Sequence, residues 1–333
     1  MLIGMKTIIK LKIKKFIPSR VYLLLANLNK SKSFENFQEK YISFGEHNHK
    51  GQLYIIRRRP PGAGLFSNMN HVLQGLIRAE NLERLPVVDM ENYPTTYSRI
   101  SRFNGTKNAW EYFFQPVSHV TLTDAYQSKN VILSRGDRIL ENHAMSGRRL
   151  TFTKDKELLN YLHATYTKFI KLNNFVTSYI DYILIARDID INSTLGVFVR
   201  GSGYGIVDKG HPIQPKIEEV IDDINSYIRT KSISSIFLST EDTQIRELFK
   251  NAFAKQLIAS IRSDGVNDFS KLLRNKFAIP QGQIAQNLSY LSEIYILAKF
   301  RYSFASLTNG SAILHVINGN QFEYSKLYDY GVR

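Results

Sequence analysis

The chain contains no cysteine. That excludes disulfides, thiolate zinc sites, iron–sulfur clusters and cysteine nucleophiles together. It also lacks any apolar run approaching the roughly 20 residues of a membrane-spanning helix; the longest near the start is Val21 to Ala26. No small-residue cleavage site marks a secretion signal. No repeat with a period of about 20–50 residues is visible, which argues against solenoids and propellers. Acidic residues are scarce beside basic ones, 29 Asp and Glu against 44 Lys and Arg. What remains is ordinary globular composition, 43% hydrophobic and 22% charged over 333 residues. That is enough chain for two domains or one large one, and too apolar for wholesale disorder.

The net charge of +15 is unevenly spread. Residues 1–32 hold Lys6, Lys10, Lys12, Lys14, Lys15, Arg20, Lys30 and Lys32, and no acid. Ile8, Ile9, Leu11, Ile13, Phe16 and Ile17 alternate with them. Such a segment suits an anionic membrane surface, with apolar side chains in the interface and lysines at the headgroups; a solvated tail is the plainer alternative. No recognition motif accompanies the charge, so nucleic acid is not the expected partner. The expectation is a cytoplasmic protein, peripheral on the inner face of the cytoplasmic membrane.

Along the first half, Leu53 to Ile56 reads as a strand and Pro60 to Gly64 as a tight loop. Met69, Val72, Leu73, Leu76 and Ile77 have helical spacing, predicting a helix from Phe66 to about Asn81. Pro86 to Asp89 reads as a short strand, Trp110 to Phe114 as helical, and Val131 to Leu133 as a strand. Residues 155–183 read as one or two helices. The second half alternates more cleanly. Strands are expected at Leu195–Val199, Ile236–Ser239, Leu257–Ser260 and Tyr302–Ala305. Helices are expected at Ile213–Ile228, Thr243–Phe253, residues 287–299 and Gly310–Ile317. Apolar strands alternating with amphipathic helices imply an α/β, doubly wound parallel sheet. Ligands bind at the carboxyl ends of such strands, which singles out the loops at Arg200, Thr240 and Ser306.

Arg200 directly follows a buried strand and precedes Gly201, Ser202 and Gly203. A planar guanidinium binds two phosphate oxygens at once, and glycines let backbone N–H groups approach. The loop ends in no Gly-Lys-Ser/Thr, and its glycine spacing is not that of a dinucleotide fingerprint. In the second loop, Thr240, Glu241 and Asp242 can cap the following helix or accept from a nucleotide's hydroxyls or base edge. In the third, Ser306, Thr308, Asn309, Gly310 and Ser311 lead into a helix, where N–H groups and hydroxyls favour an anion. Arginine, carboxylate and hydroxyl chemistry on one sheet edge describes a nucleotide diphosphate site. Asp188-Ile189-Asp190 has metal-motif spacing but lies on the opposite edge and reads as a solvated turn, so no metal site is expected.

Several segments resemble, in order, the peptide motifs of the fucosyltransferase superfamily. They are Leu195 to Arg200, Gly210 to Pro215, Ile236 to Asp242 and Ser306 to Ser311. That superfamily includes α1,6-fucosyltransferases of N-glycan cores and Nod factors, and protein O-fucosyltransferases. Gly62 to His71 is similar to the glycine-rich loop and helix of its first domain. Pro86 to Pro94 and Tyr328 to Gly331 look like bacterial members found with polysaccharide gene clusters. The resemblance spans roughly residues 50–333. It implies a GT-B-like fold, two Rossmann-like domains facing a cleft, with residues 40–185 on the acceptor side and 190–333 binding the nucleotide sugar. It further implies inverting transfer from a GDP-sugar, by default GDP-fucose, with no cofactor and no divalent metal. By position, Arg200 matches the arginine that binds the β-phosphate, Asp242 lies near the nucleotide-recognising acid, and Ser306 to Ser311 near the phosphate and base loop. Asp208 stands eight residues after the arginine, where core α1,6 enzymes carry an acidic base candidate. Gly62, Gly64, Asn68 and His71 would line the cleft from the first domain. Phe198 replaces the family's histidine two residues before the arginine.

Apart from any family, inverting transfer needs an acceptor hydroxyl deprotonated and a departing diphosphate stabilised. Arg200 suits the second task by position. Asp208 suits the first, with Glu241, Asp242, His71 and His211 as alternatives. The resemblance implies that the acceptor is a glycan or lipid-linked glycan of surface polysaccharide, such as capsule or lipopolysaccharide. The alternative functions are a catalytically silent nucleotide-sugar or glycan binding protein on the same fold, and a basic adaptor.

Overall fold

The computed structural model describes residues 37–47, 52–137, 139–140, 150–201, 211–262 and 268–332. The basic segment 1–32, and with it the membrane-surface expectation, lies outside them, as do Ser202 and Asp208. No described helix is long and apolar enough to cross a membrane.

The described chain divides into two compact units. One holds the residues up to 140 together with Ala164–Phe175; the other holds 150–163 and everything from Val176 onward. The boundary therefore differs from the 40–185 and 190–333 expected from sequence. Tyr179 explains part of the difference: its ring packs edge-on against Phe277, 5.1 Å away, which ties its own helix, Asn174–Ala186, to the second unit.

The first unit is built on a four-stranded sheet of order β1-β4-β2-β3, with β1 at Lys40–Ile42, β2 at Leu53–Ile56, β3 at Leu85–Val88 and β4 at Val131–Leu133. β2 pairs in parallel with both β3 and β4, and β1 runs antiparallel on the edge. One face buries Leu53, Ile55, Val87, Val131 and Leu133 with Val120 and Ala125, the latter from the one-turn α2 (Leu122–Ala125). α1 (Leu65–Asn81) is buried along most of its length, including four polar side chains, Asn68, Asn70, His71 and Gln74. Gly75 lets it approach β2: a Cβ there would sit 2.7–2.9 Å from three carbons of Ile56. Trp110 to Phe114 forms turns rather than the expected helix. Pro116 holds Gln115 extended, and the Gln115 N–H donates instead to the Lys171 carbonyl.

The second unit begins with a turn of 3₁₀ helix at Thr151–Lys154, α3 (Lys156–Phe169, shared with the first unit) and α4 (Asn174–Ala186). It then alternates β5 (Thr194–Phe198), α5 (Ile217–Ile228), β6 (Ser235–Ser239), α6 (Thr243–Phe253), β7 (Leu257–Ile258), α7 (Asp268–Lys276), α8 (Gln283–Leu297), β8 (Tyr302–Ser306), α9 (Asn309–Asn318) and β9 (Tyr324–Tyr328). The sheet order is β7-β6-β5-β8-β9, all parallel. Residues alternate faces along each strand. Leu195, Val197, Val199, Ile236 and Leu238 pack on Val220 and Ile224 of α5 and on Ile245 and Phe249 of α6. The opposite face receives α8: Phe198 stacks on Tyr290, and Gly196 leaves room for Leu297 and Phe300. α5 starts at Ile217, four residues later than expected, because Pro215 disfavours helix at Gln214; the freed segment bonds Ile213 N–H to the Gly331 carbonyl.

Replacing Gly75 with valine should overpack the α1–β2 contact and lower stability by about 1–3 kcal/mol. Urea unfolding of the two proteins checks this; an unchanged midpoint would contradict the packing.

Candidate functional site

β5 is paired on one side with β6, the next strand, and on the other with β8, reached after the chain has visited the far edge. The chain therefore leaves β5 in one direction and returns on its other side, which makes the β5–β8 boundary a topological switch point, where α/β sheets bind ligands outside the strand ends. Phe198 is level with Ser239 on one side and Ala305 on the other, so the three loops picked from sequence finish side by side.

Their contacts are specific. The Arg200 N–H donates to Ser306 Oγ at 3.3 Å, and the Gly201 N–H to Glu241 Oε1 at 3.1 Å. Arg200 Nε lies 3.0 Å from the same Glu241 oxygen, an ion pair whose N–H is not aligned as a hydrogen bond. Gly201 is required by this approach, since a Cβ would fall 2.4 Å from Asp242 Oδ2. Gln214 donates to the carbonyls of Pro212 and Leu307, tying the segment after His211 to the third loop.

Other members of the three loops have structural duties. Asp242 caps α6, its Oδ1 accepting from the Gln244 and Ile245 N–H groups at 2.8 and 3.2 Å. Thr240 is buried and accepts from the Asp242 N–H. The expected anion site at the α9 N-terminus is corrected: Thr308 Oγ1 accepts from Gly310 and Ser311 N–H, while Ser311 Oγ accepts from Thr308 N–H and donates to the Ser306 carbonyl. This closed capping box uses the hydroxyls and N–H groups that sequence reasoning offered to a phosphate. Gly310 has a different role. A Cβ there would lie 2.1 Å from the Tyr290 hydroxyl, so its absence admits Tyr290 beneath the loop.

Beside Arg200 opens a cavity of about 660 Å³, the size of an ordinary small-ligand site. Arg200, Glu241, Arg262, Arg274 and Tyr290 line it, with the first turns of α8. Three guanidiniums and a helix N-terminus favour an anion there. Arg262, Arg274 and Tyr290 escaped the sequence reading. Arg262 does follow a strand, as Arg200 does, but no glycines mark it. Among the described residues no group of three His, Asp or Glu is placed to hold a metal ion.

In the first unit Arg57, Arg58 and Arg59 directly follow β2, the same signal as Arg200 and also overlooked. Arg57 is buried, donating to the Ser134 and Gln38 carbonyls and to Tyr93. Arg59 pairs with Asp137 at 3.0 Å. Arg58 donates to Asn68 Oδ1 at 2.8 Å and to Ser67. Asn68 also accepts from the Ala63 N–H and donates to its carbonyl, so it shapes the Pro60–Gly64 loop. Gly62 needs to be glycine for its φ of +68°, whereas Gly64 faces open space. His71 is corrected from cleft residue to core residue. It is buried with Nε2 2.9 Å from the Arg57 carbonyl. Burial, reinforced by the Arg58 charge, pushes its pKa down to about 3, so it is a neutral imidazole at pH 7.

No protein-family model matches the chain, and no curated protein matches it. Similar chains occur among solved structures. One is the NodZ α-1,6-fucosyltransferase soaked with GDP-fucose, 16% identical, aligned over 80% of this chain and 93% of that one with a TM-score of 0.45. Fucosyltransferase NodZ from Bradyrhizobium is 16% identical over 81% and 92%, with a TM-score of 0.43. POFUT1 in complex with GDP-fucose is 10% identical over 84% and 97%, with a TM-score of 0.47. These likenesses are distant, and the functional reading rests on the chain's own residues.

His71 also sets a pH dependence. Its folded pKa lies below the unfolded value of 6.5. Between about pH 6.5 and 3 the unfolded chain therefore binds a proton the folded one refuses. Stability should fall on acidification through that window, by up to about 1.4 kcal/mol per pH unit from this group. Urea midpoints at pH 7, 6, 5 and 4 for wild type and His71→Gln test it. A shallower slope in the variant is expected; identical slopes would contradict the assignment.

Proposed function

We propose that this protein is a glycosyltransferase that takes a sugar from a nucleoside-diphosphate donor, with the donor diphosphate at the carboxyl edge of the second unit. The observation that carries this reading is Arg200 at the switch point, held by Ser306 and Glu241 beside a cavity lined by two further arginines. The fucosyltransferase-like motifs in order along the chain support a GDP-sugar, with GDP-fucose as default donor, and inversion at the anomeric carbon.

In the reaction an acceptor hydroxyl attacks the anomeric carbon. The bond from that carbon to the β-phosphate oxygen breaks, its electron pair leaving with the diphosphate, and the hydroxyl proton passes to a base. Oxocarbenium character builds on the sugar and negative charge on the leaving oxygen. Preorganised positive groups in a partly desolvated cavity meet that charge without reorganising; Arg200 supplies it in this metal-independent reading. Glu241 is engaged by Arg200 and Arg262, and Asp242 caps a helix. Asp208, outside the described residues, and His211 remain the candidates for proton removal, with Asp208 favoured by the family resemblance. Acceptor recognition is assigned to the first unit, and the acceptor to a glycan or lipid-linked glycan of surface polysaccharide.

Because the leaving-group charge grows in the transition state, Arg200 should matter more to turnover than to donor binding. Arg200→Ala should lower turnover about 10²–10³-fold, roughly 3–4 kcal/mol. Arg200→Lys should not restore it, since the bidentate fork is lost. Release of GDP from GDP-fucose by wild type and both variants, with melting curves to check folding, tests this. A folded Arg200→Ala protein with near wild-type turnover would remove the phosphate assignment.

Residues 1–32 are proposed to hold the enzyme at an anionic membrane surface, on the cytoplasmic side, near a lipid-linked acceptor. The clustering of eight basic residues without an acid supports it. Full-length protein should sediment with phosphatidylserine-containing vesicles and a chain lacking residues 1–32 should not. Equal sedimentation of both would contradict the proposal.

A further inference from the structure

Four charged side chains of alternating sign run from the interior of the second unit to the donor cavity. The innermost, Glu293 on α8, is fully buried. Its Oε1 accepts from Ser260 Oγ at 2.6 Å, Ile261 N–H at 2.5 Å and Arg262 N–H at 3.1 Å. Its Oε2 accepts from Ser239 Oγ and Arg262 Nε, both at 2.7 Å. Arg262 Nη2 donates to Ser239 Oγ at 2.9 Å, and the guanidinium lies 4.2 Å from the Tyr290 ring centroid. Its remaining nitrogen, Nη1, is 3.5 Å from Glu241 Oε2. The other oxygen of Glu241 holds Arg200. Arg200 is 23% exposed at the outer end, against 7% for Arg262.

We propose that Arg262, anchored by Glu293, is a positioning residue that orients the Arg200 guanidinium for the donor diphosphate by fixing the carboxylate they share, Glu241. The proposal rests on the glycosyltransferase reading given above. Each link restricts the next. Five donors saturate the two Glu293 oxygens and leave Arg262 one orientation. The Tyr290 ring, admitted by Gly310, blocks its rotation out of plane. Glu241 then faces Arg262 on one side across a 3.5 Å ion pair without a hydrogen bond, and is anchored on the other by the Gly201 N–H. Stability alone gives little reason for such a chain, because buried ion pairs are commonly matched or bettered by apolar packing of the same volume. Orientation does, because misplacing a reacting-site group by about 1 Å can cost about 10²-fold in rate.

The test is a double-mutant cycle on the full-length protein with GDP and GDP-fucose as probes. Arg262→Lys keeps a positive charge for Glu293 but lacks the fork that spans Ser239 and Glu241. Single-turnover release of GDP from GDP-fucose should fall about 10–100-fold, while the dissociation constant for GDP changes less than about threefold. In an Arg200→Ala background the same substitution should change turnover less than about twofold, because the group it positions is gone. A loss of the same size in both backgrounds, or wild-type turnover in Arg262→Lys, would overturn the positioning role alone. Undiminished turnover in folded Arg200→Ala would overturn the donor-site reading and this inference with it. Should Arg262→Lys melt below the assay temperature, Arg262→Gln paired with Glu293→Gln, which leaves no buried charge unpaired, replaces it in the cycle with the same readings.

Discussion

The parallel pairing of β5 on both of its edges governs the second unit. Because β6 and β8 flank it in register, the loops after all three strands end at one level, and the connections diverge in opposite directions. A crevice at their carboxyl ends is a geometric consequence. Everything assigned to the donor site hangs on that edge: Arg200 and Gly201 after β5, Glu241 after β6, Ser306 ending β8, and Arg262 beyond β7. The packing explains why the edge is stiff. One face of the sheet is filled by aliphatic and phenylalanine contacts to α5 and α6, the other by aromatic contacts to Tyr290 of α8 and to Phe300 just beyond it. Arg200 is thus held by a framework with little freedom of its own.

The position of this edge was legible in the sequence, and much of its detailed chemistry was not. Short, continuous apolar runs located β5, β6 and β8, and an arginine followed by glycines marked the end of the first. Residue type misled where one side chain can do two jobs. Thr308, Ser311 and Asp242 have the hydroxyls and carboxylate of a phosphate or nucleotide site, yet each is used to cap a helix; only the positions of neighbouring N–H groups distinguish the two uses. Arg262 and Glu293 were illegible for another reason. They are 31 positions apart, on a loop and a helix, and nothing local in either segment announces an ion pair. β9 was also missed, since only pairing with β8 identifies its alternately polar Tyr324 to Tyr328 as an edge strand.

The first unit teaches a related point. The resemblance of Gly62 to His71 to a family's glycine-rich loop and helix placed Gly62, Gly64, Asn68 and His71 in a cleft. In the structure, Asn68 satisfies the loop backbone and Arg58, and His71 satisfies the Arg57 carbonyl. Their burial is structural work of the loop itself. What the sequence pattern did not weigh is the run Arg57 to Arg59, which repeats at β2 the placement of Arg200 at β5. Two sheets in one chain therefore each end a central parallel strand in arginine, although their arginines are engaged by quite different partners.

The central claim is that a nucleoside diphosphate binds at the carboxyl edge of the second unit's sheet. Hydrogen–deuterium exchange of the full-length protein with and without saturating GDP tests it most directly. The account predicts slowed exchange concentrated in peptides covering residues 199–201, 240–242 and 281–290, which border the cavity. Exchange unchanged by GDP, or protection confined to other segments, would contradict it.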